Sequence, residues 1–277
     1  MRLQGVGGRE FFTFPPPHPI PRIGTIRFMS SGSNSVDHFP STHRTWLMTQ
    51  IDGGLDAQQT GDDSAHLAAI RAISHHVMDR YRAPLCAYVR GSRWKSFGDA
   101  DDLVAGFFAR RLDSLAYLQR WKDVGVPLRR WLMNGMLLEL RTLARDQRRQ
   151  SARENSVDPA HATSDPELSH DPQAERAFDR AWARGVLADA AARTAEELTS
   201  EGRETSWRIF ERHILDGIEY STAAQEVGVP ANEARAMSRM AAYRLKRALR
   251  AVLEEEGIAE ADLDRAVEDV YAAALGN

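Results

Sequence analysis

Between Pro230 and Arg250 the chain carries Arg235, Arg239, Arg244, Lys246, Arg247 and Arg250 against a single acid, Glu233. Asn232, Glu233 and Arg235 stand at the head of this run. Those three residue types can read base edges. Arginine pairs with guanine O6 and N7, asparagine with adenine, and glutamate accepts from cytosine N4. The basic residues further along suit phosphates, which add affinity without sequence information. The competing reading of the same residues is a solvated basic face on a surface helix.

A second basic cluster comprises Arg129, Arg130, Arg141, Arg145, Arg148, Arg149 and Arg153, opposed by Glu139 and Asp146, with Trp121 and Trp131 nearby. Arginines interleaved with aromatics suit strand-separated DNA, where bases stack on rings and phosphates meet guanidinium groups. The alternative makes Trp131 a core residue and the arginines a solubilising face.

Helices must position both clusters. From Tyr220 the chain reads as a short helix, with Gly228 as a tight turn and Pro230 to Arg250 as a longer basic helix. That is the pattern of a helix-turn-helix, whose second helix enters the DNA major groove. Ala223, Ala224, Val227 and Val229 are small or apolar, as a packed corner requires. Upstream, Ile70, Ile73, Val77, Tyr81 and Tyr88 mark one face of a helix that Pro84 is expected to end or kink. Asp99 is placed to cap a helix carrying Leu103, Phe107, Phe108 and Leu112. A further helix is predicted from Pro127 to about Arg149, with Leu128, Trp131, Leu132, Leu138 and Leu143 on its apolar face. Phe178, Trp182, Val186 and Ala190 resume the helical period, Trp207, Phe210 and Ile214 continue it, and a last amphipathic helix is expected from Ala259 to Leu275.

The expected class is all-α: two helical domains joined by a flexible linker, the second containing the helix-turn-helix. The divisions are a disordered tail over 1–41, a helical domain over 42–150, a linker over 151–173, a second domain over 174–255 and a C-terminal helical extension over 256–277. Met29 and Met48 are candidate alternative starts.

Composition narrows the function classes. The net charge of -3 gives no global attraction for nucleic acid, so any binding rests on local patches. Cys86 is the only cysteine, which excludes an internal disulfide and a cysteine-built zinc site and accords with a reducing cytoplasm. No apolar run is long enough to span a bilayer. Asp99, Asp101 and Asp102 read as a helix start rather than metal ligands, and the adjacent His75 and His76 point to different helical faces. Ser221 and Ser238 lack a His-Asp partner set, and no glycine-rich phosphate loop occurs, so an enzyme is the weakest class and no cofactor is expected.

Four stretches together resemble the extracytoplasmic-function sigma factors of bacterial RNA polymerase. Asp99-Ala-Asp-Asp-Leu-Val-Ala-Gly-Phe-Phe-Ala-Arg-Arg-Leu112 is similar to the family's acidic-start helix. Leu128-Arg-Arg-Trp-Leu132, followed by Arg145-Asp-Gln-Arg-Arg149, is similar to its Trp-Leu helix with a basic end. Asp171-Pro-Gln-Ala-Glu-Arg-Ala-Phe-Asp-Arg-Ala-Trp182 resembles the opening of its second domain, and the helix-turn-helix resembles its promoter reader. The likeness covers about Thr42 to Leu253.

The resemblance implies roles. Asp99, Asp102, Leu103, Phe107 and Phe108 would dock on core RNA polymerase. Trp131, Arg141, Arg145, Arg148 and Arg149 would bind and melt the minus-ten promoter element. Asn232, Glu233, Arg235, Arg239, Arg244 and Arg247 would read the minus-thirty-five element. The implied partners are core polymerase and promoter DNA, with an anti-sigma factor or other regulator as a further candidate and no membrane. The alternative is a helix-turn-helix regulator that acts without being a polymerase subunit.

Overall fold

The computed structural model describes residues 43–154 and 171–275, and among them every regular element is a helix. The expected tail over 1–41 and the middle of the expected linker, 155–170, lie outside the described residues.

The chain begins with α1 (His43–Thr60), which no sequence signal announced, and α2 (Asp63–Gly91). Asp62 caps α2, its carboxylate accepting the Ala65 N–H at 3.0 Å. Ile73, Val77, Tyr81, Leu85 and Val89 recur every fourth position and are all buried. Of the two outcomes expected at Pro84, an end or a kink, the first does not occur: Pro84 sits buried in the interior and α2 runs on to Gly91. Helices in proteins draw most of their stability from packing, and α2 is packed by α1, α3, α5 and α6, which offsets the lost backbone donor.

Asp99 caps α3 (Ala100–Arg111) as expected, accepting the backbone N–H groups of Asp101 and Asp102 at 2.8 and 3.3 Å. Then comes α4 (Ala116–Val124), missed in the sequence because it is short. It buries Tyr117, Leu118 and Trp121 and stops at Gly125, whose φ of 75° suits glycine. The next helix, α5 (Leu128–Glu154), buries Leu128, Leu132, Met136 and Leu140. Leu138, expected on the apolar face, is 54% exposed: it lies two positions from both Met136 and Leu140, about 200° around the helix from each.

Asp171 caps α6 (Pro172–Ser200), which buries Phe178, Trp182, Val186 and Leu198. Next come α7 (Glu204–Phe210) with a π-helical turn over Glu211–Leu215, α8 (Tyr220–Val227), α9 (Ala231–Glu255), a 3-10 turn over Glu260–Asp262 and α10 (Leu263–Leu275).

Two separate bundles were expected, but one continuous core joins the halves. It runs from Leu47 on α1 to Ala274 on α10. Its spine is α2 packed along α6. Each of these helices spans 29 residues and carries an unbroken apolar stripe, so the two stripes cover one another. The C-terminal α10 packs on α6 and α9. A second, small cluster of Ile209, Ala223, Ala224 and Ala234 stands apart from this core.

Candidate nucleic-acid interface

The small cluster holds the turn between α8 and α9. Ala223, Ala224 and Ala234 are at most 1% exposed, and their small side chains let the two helices approach closely around Ile209. Gly228 makes the turn with φ of 77°, its N–H reaching back to the Gln225 carbonyl. Tyr220, Val227, Val229 and Met237 close over the cluster.

This corner leaves the first turns of α9 outward. Asn232, Glu233, Arg235 and Arg239 are all exposed, and Arg239 makes no ion pair among the described residues. The Arg235 guanidinium lies 5.8 Å from the centre of the Tyr220 ring. That ring stacks on His213 at 3.5 Å, and its hydroxyl donates to Ser238 at 3.4 Å. His213 and Tyr220 thus form a platform for Arg235. Sequence reasoning missed it, since the partners lie on different elements and share no local period.

The second half of α9 is different. Arg244 pairs with Glu197 and, at 3.1 Å, with Glu201, both on or at the end of α6. Arg247 also pairs with Glu197. Burial pushes the Glu197 carboxyl up, but the hydrogen bond and charge of Arg247 and the charge of Arg244 outweigh it and hold it below the usual range. Arg250 and Lys246 both meet Asp264 of α10. The expected phosphate contacts Arg244 and Arg247 are therefore already neutralised from within the chain. Their acidic partners lie some fifty positions away, beyond any helical period.

The arginines of α5 divide similarly. Arg145, Arg148 and Arg149 are exposed near its C-terminal end, with Arg149 3.8 Å from Asp146. Arg141 is half-buried, and its Nη2 finds no hydrogen-bond partner among the described residues. Trp131 is half-buried: its ring lies 5.3 Å from Tyr117, and the Tyr117 hydroxyl donates to its backbone carbonyl at 3.3 Å. Arg110 and Arg111 of α3 take up Glu139, at 2.7 and 3.3 Å, so it does not neutralise the α5 arginines.

On α3, Asp99 and Asp102 are exposed and Leu103 is half-buried. Phe107 and Phe108, expected as partner contacts, are 0% and 2% exposed. They face the core because α3 has one apolar side and packs it on α2 and α5, so they hold the helix in place and offer no docking surface.

Two further features went unforeseen. Arg129 lies 4.2 Å over the Trp182 ring and makes no ion pair among the described residues, and burial pulls its guanidinium below its ordinary value. Arg80 of α2 pairs with Asp189 of α6 and with Glu256 beyond α9. Among the described residues no group of three or more His, Cys, Asp or Glu side chains is close enough to hold a metal ion, and no helix is long and apolar enough to cross a membrane. No family model, curated protein or solved structure matches the chain.

Proposed function

We propose that the chain is a promoter-reading subunit of bacterial RNA polymerase, of the extracytoplasmic-function sigma type. One observation carries the reading: the corner between α8 and α9, with its own small core, presents Asn232, Glu233, Arg235 and Arg239 to solvent. The exposure and chemistry of Asn232, Glu233 and Arg235 suit base edges in a major groove, and those of Arg239 suit a flanking phosphate. The exposed Arg145, Arg148 and Arg149 suit the strand-separated minus-ten element, and the exposed Asp99 and Asp102 with Leu103 suit docking on core polymerase. In this reading polymerase does the chemistry and the chain supplies recognition. Spanning two promoter elements also requires α6 to leave α2, and binding is weakened by the fraction of molecules that stay closed.

That closed core supports a second reading, a helix-turn-helix regulator that binds duplex DNA without polymerase. The corner is exposed with the halves together, so duplex reading needs no separation. Size-exclusion chromatography of the full chain with core polymerase, beside capture of genomic DNA fragments without it, separates the two. Co-elution with core supports the sigma reading, and DNA capture without co-elution supports the regulator. Neither result would leave both readings wrong.

A further inference from the structure

The face of α9 that carries Asn232 continues far beyond the corner. At about 100° per residue, Asn232, Ala236, Arg239, Tyr243, Lys246 and Arg250 all fall within about 40° of one line along the helix. The first five are exposed and Arg250 is half-buried. Asn232 and Arg250 stand about 27 Å apart along the axis. The major groove is about 12 Å wide. A helix with its first turns in the groove therefore carries its far end past the groove wall, where phosphates are the groups within reach. Lys246 and Arg250, at that far end, have the charge to meet them.

Both cations are held instead by one carboxylate of the C-terminal extension. Arg250 pairs with Oδ1 of Asp264, and Lys246 lies 3.7 Å from the same oxygen. Asp264 stands in the first turn of α10. It is not what docks that helix. Leu263, Val267, Val270 and Ala274 do so, all buried in the core, whereas the Asp264 side chain is 73% exposed. An ion pair that open contributes only about 0–1 kcal/mol to the fold. Arg244 and Arg247 stand about 60–120° off the line, on the flank that meets Glu197 and Glu201.

We propose that Asp264 is an autoinhibitory mask on the DNA face of α9. It occupies Lys246 and Arg250, so the C-terminal extension limits how many phosphates the helix neutralises. The mask rests on α9 meeting DNA, which the sigma and regulator readings both require. Asp264 and a phosphate compete for the same two cations. Lifting the start of α10 from α9 thus tightens DNA binding, and DNA by linkage loosens that contact.

Fluorescence anisotropy of the full chain with a labelled duplex of random sequence, over a salt series, tests the mask. Asp264→Asn keeps the side chain's shape and removes its charge. It should bind about tenfold tighter than wild type at about 50 mM salt, and the slope of log K against log salt should steepen by about 1.8, two phosphates at about 0.9 each. Asp269 is exposed on the same helix, about 140° around from Asp264, and makes no ion pair among the described residues. Asp269→Asn removes the same charge and should match wild type. Adding Lys246→Ala and Arg250→Ala to Asp264→Asn should cancel the gain. An Asp264→Asn chain with wild-type affinity and slope, an Asp269→Asn chain that gains as much, or a gain that survives the two alanines would overturn the mask. So would the absence of duplex binding by both wild type and Asp264→Asn. The duplex carries no promoter and polymerase is absent, so the outcomes separate. An unchanged Asp264→Asn chain that still co-elutes with core sinks the mask alone, and a gain without co-elution sinks the sigma reading alone.

Discussion

Arg80 on α2 and Glu256 just past α9 form a 2.8 Å ion pair with side chains only 11% and 8% exposed, tying the first half of the chain to the second. The same carboxylate accepts the Tyr81 hydroxyl at 2.7 Å, and Arg80 turns its other arm to Asp189. Burial pushes the guanidinium down, but the charges of Glu256 and Asp189 outweigh it and raise its pKa above the ordinary value. A pair buried this deeply is costly to break from one side, because the remaining charge stays desolvated.

Glu256→Ala should therefore destabilise the fold by about 3 kcal/mol, at the low end of the range for a broken buried pair because Asp189 still meets Arg80. Urea unfolding followed by circular dichroism measures it. A loss under about 1 kcal/mol, typical of exposed pairs, would mean that the contact does not hold the halves together.

The helices with long apolar periods were legible in the sequence, and so were the Asp99 cap and the Gly228 turn, because each is set by neighbours within a few positions. Apart from α1 and the short α4, what escaped notice depends on distant partners. The joining of α2 to α6 follows from two stripes more than a hundred positions apart, and Pro84 is tolerated because of that packing. The candidate interface divides in the same way. Asn232, Glu233, Arg235 and Arg239 were picked out by residue type and by their place on the helix that follows the Gly228 turn. The neutralisation of Arg244 and Arg247 and the burial of Phe107 and Phe108 depended on which elements came to lie against them.

The α9 arginines should separate in function. Arg235→Ala and Arg239→Ala should weaken DNA binding more than Arg244→Ala and Arg247→Ala, whose partners are Glu197 and Glu201. A residue contacting phosphate should lower the slope of log K against log salt by about 0.9, so the slope should fall for Arg239→Ala and stay near wild type for Arg247→Ala. Fluorescence anisotropy over a salt series reads both. Equal losses at all four positions would show that the acidic partners release the later arginines on DNA.

Cys86 should be inert in the native state. Burial, then the charge and hydrogen bonding of Asp101, push its thiol up to about 11. A raised folded pKa contributes stability that is full below the unfolded value of about 8.5 and is lost as pH rises through the folded one. The window is therefore about pH 8.5 to 11. Iodoacetamide labelling at pH 8 should be negligible until urea unfolds the chain, and Asp101→Asn should accelerate native labelling. Rapid labelling of the native chain at pH 8 would contradict the burial.

Two helical glycines should respond oppositely to alanine. A Cβ at Gly135 would overlap the Tyr117 hydroxyl and press on the Phe107 ring at 3.2 Å, whereas at Gly185 it would meet nothing within 4 Å. Alanine gains roughly 1 kcal/mol of helix propensity at either site. Overpacking costs roughly 1–3 kcal/mol at Gly135 alone. Thermal unfolding should give a lower midpoint for Gly135→Ala and a higher one for Gly185→Ala; the same sign at both would refute the close packing of α4 on α5.

The most direct test of the promoter-reading proposal is run-off transcription on a genomic promoter library, with core polymerase alone and with core plus the purified chain. The expected result is transcripts that start at discrete sites only when the chain is present, and that are lost when Arg235 and Arg239 are both alanine. Identical transcript profiles with and without the chain, under conditions where a control sigma factor gives specific starts, would contradict it.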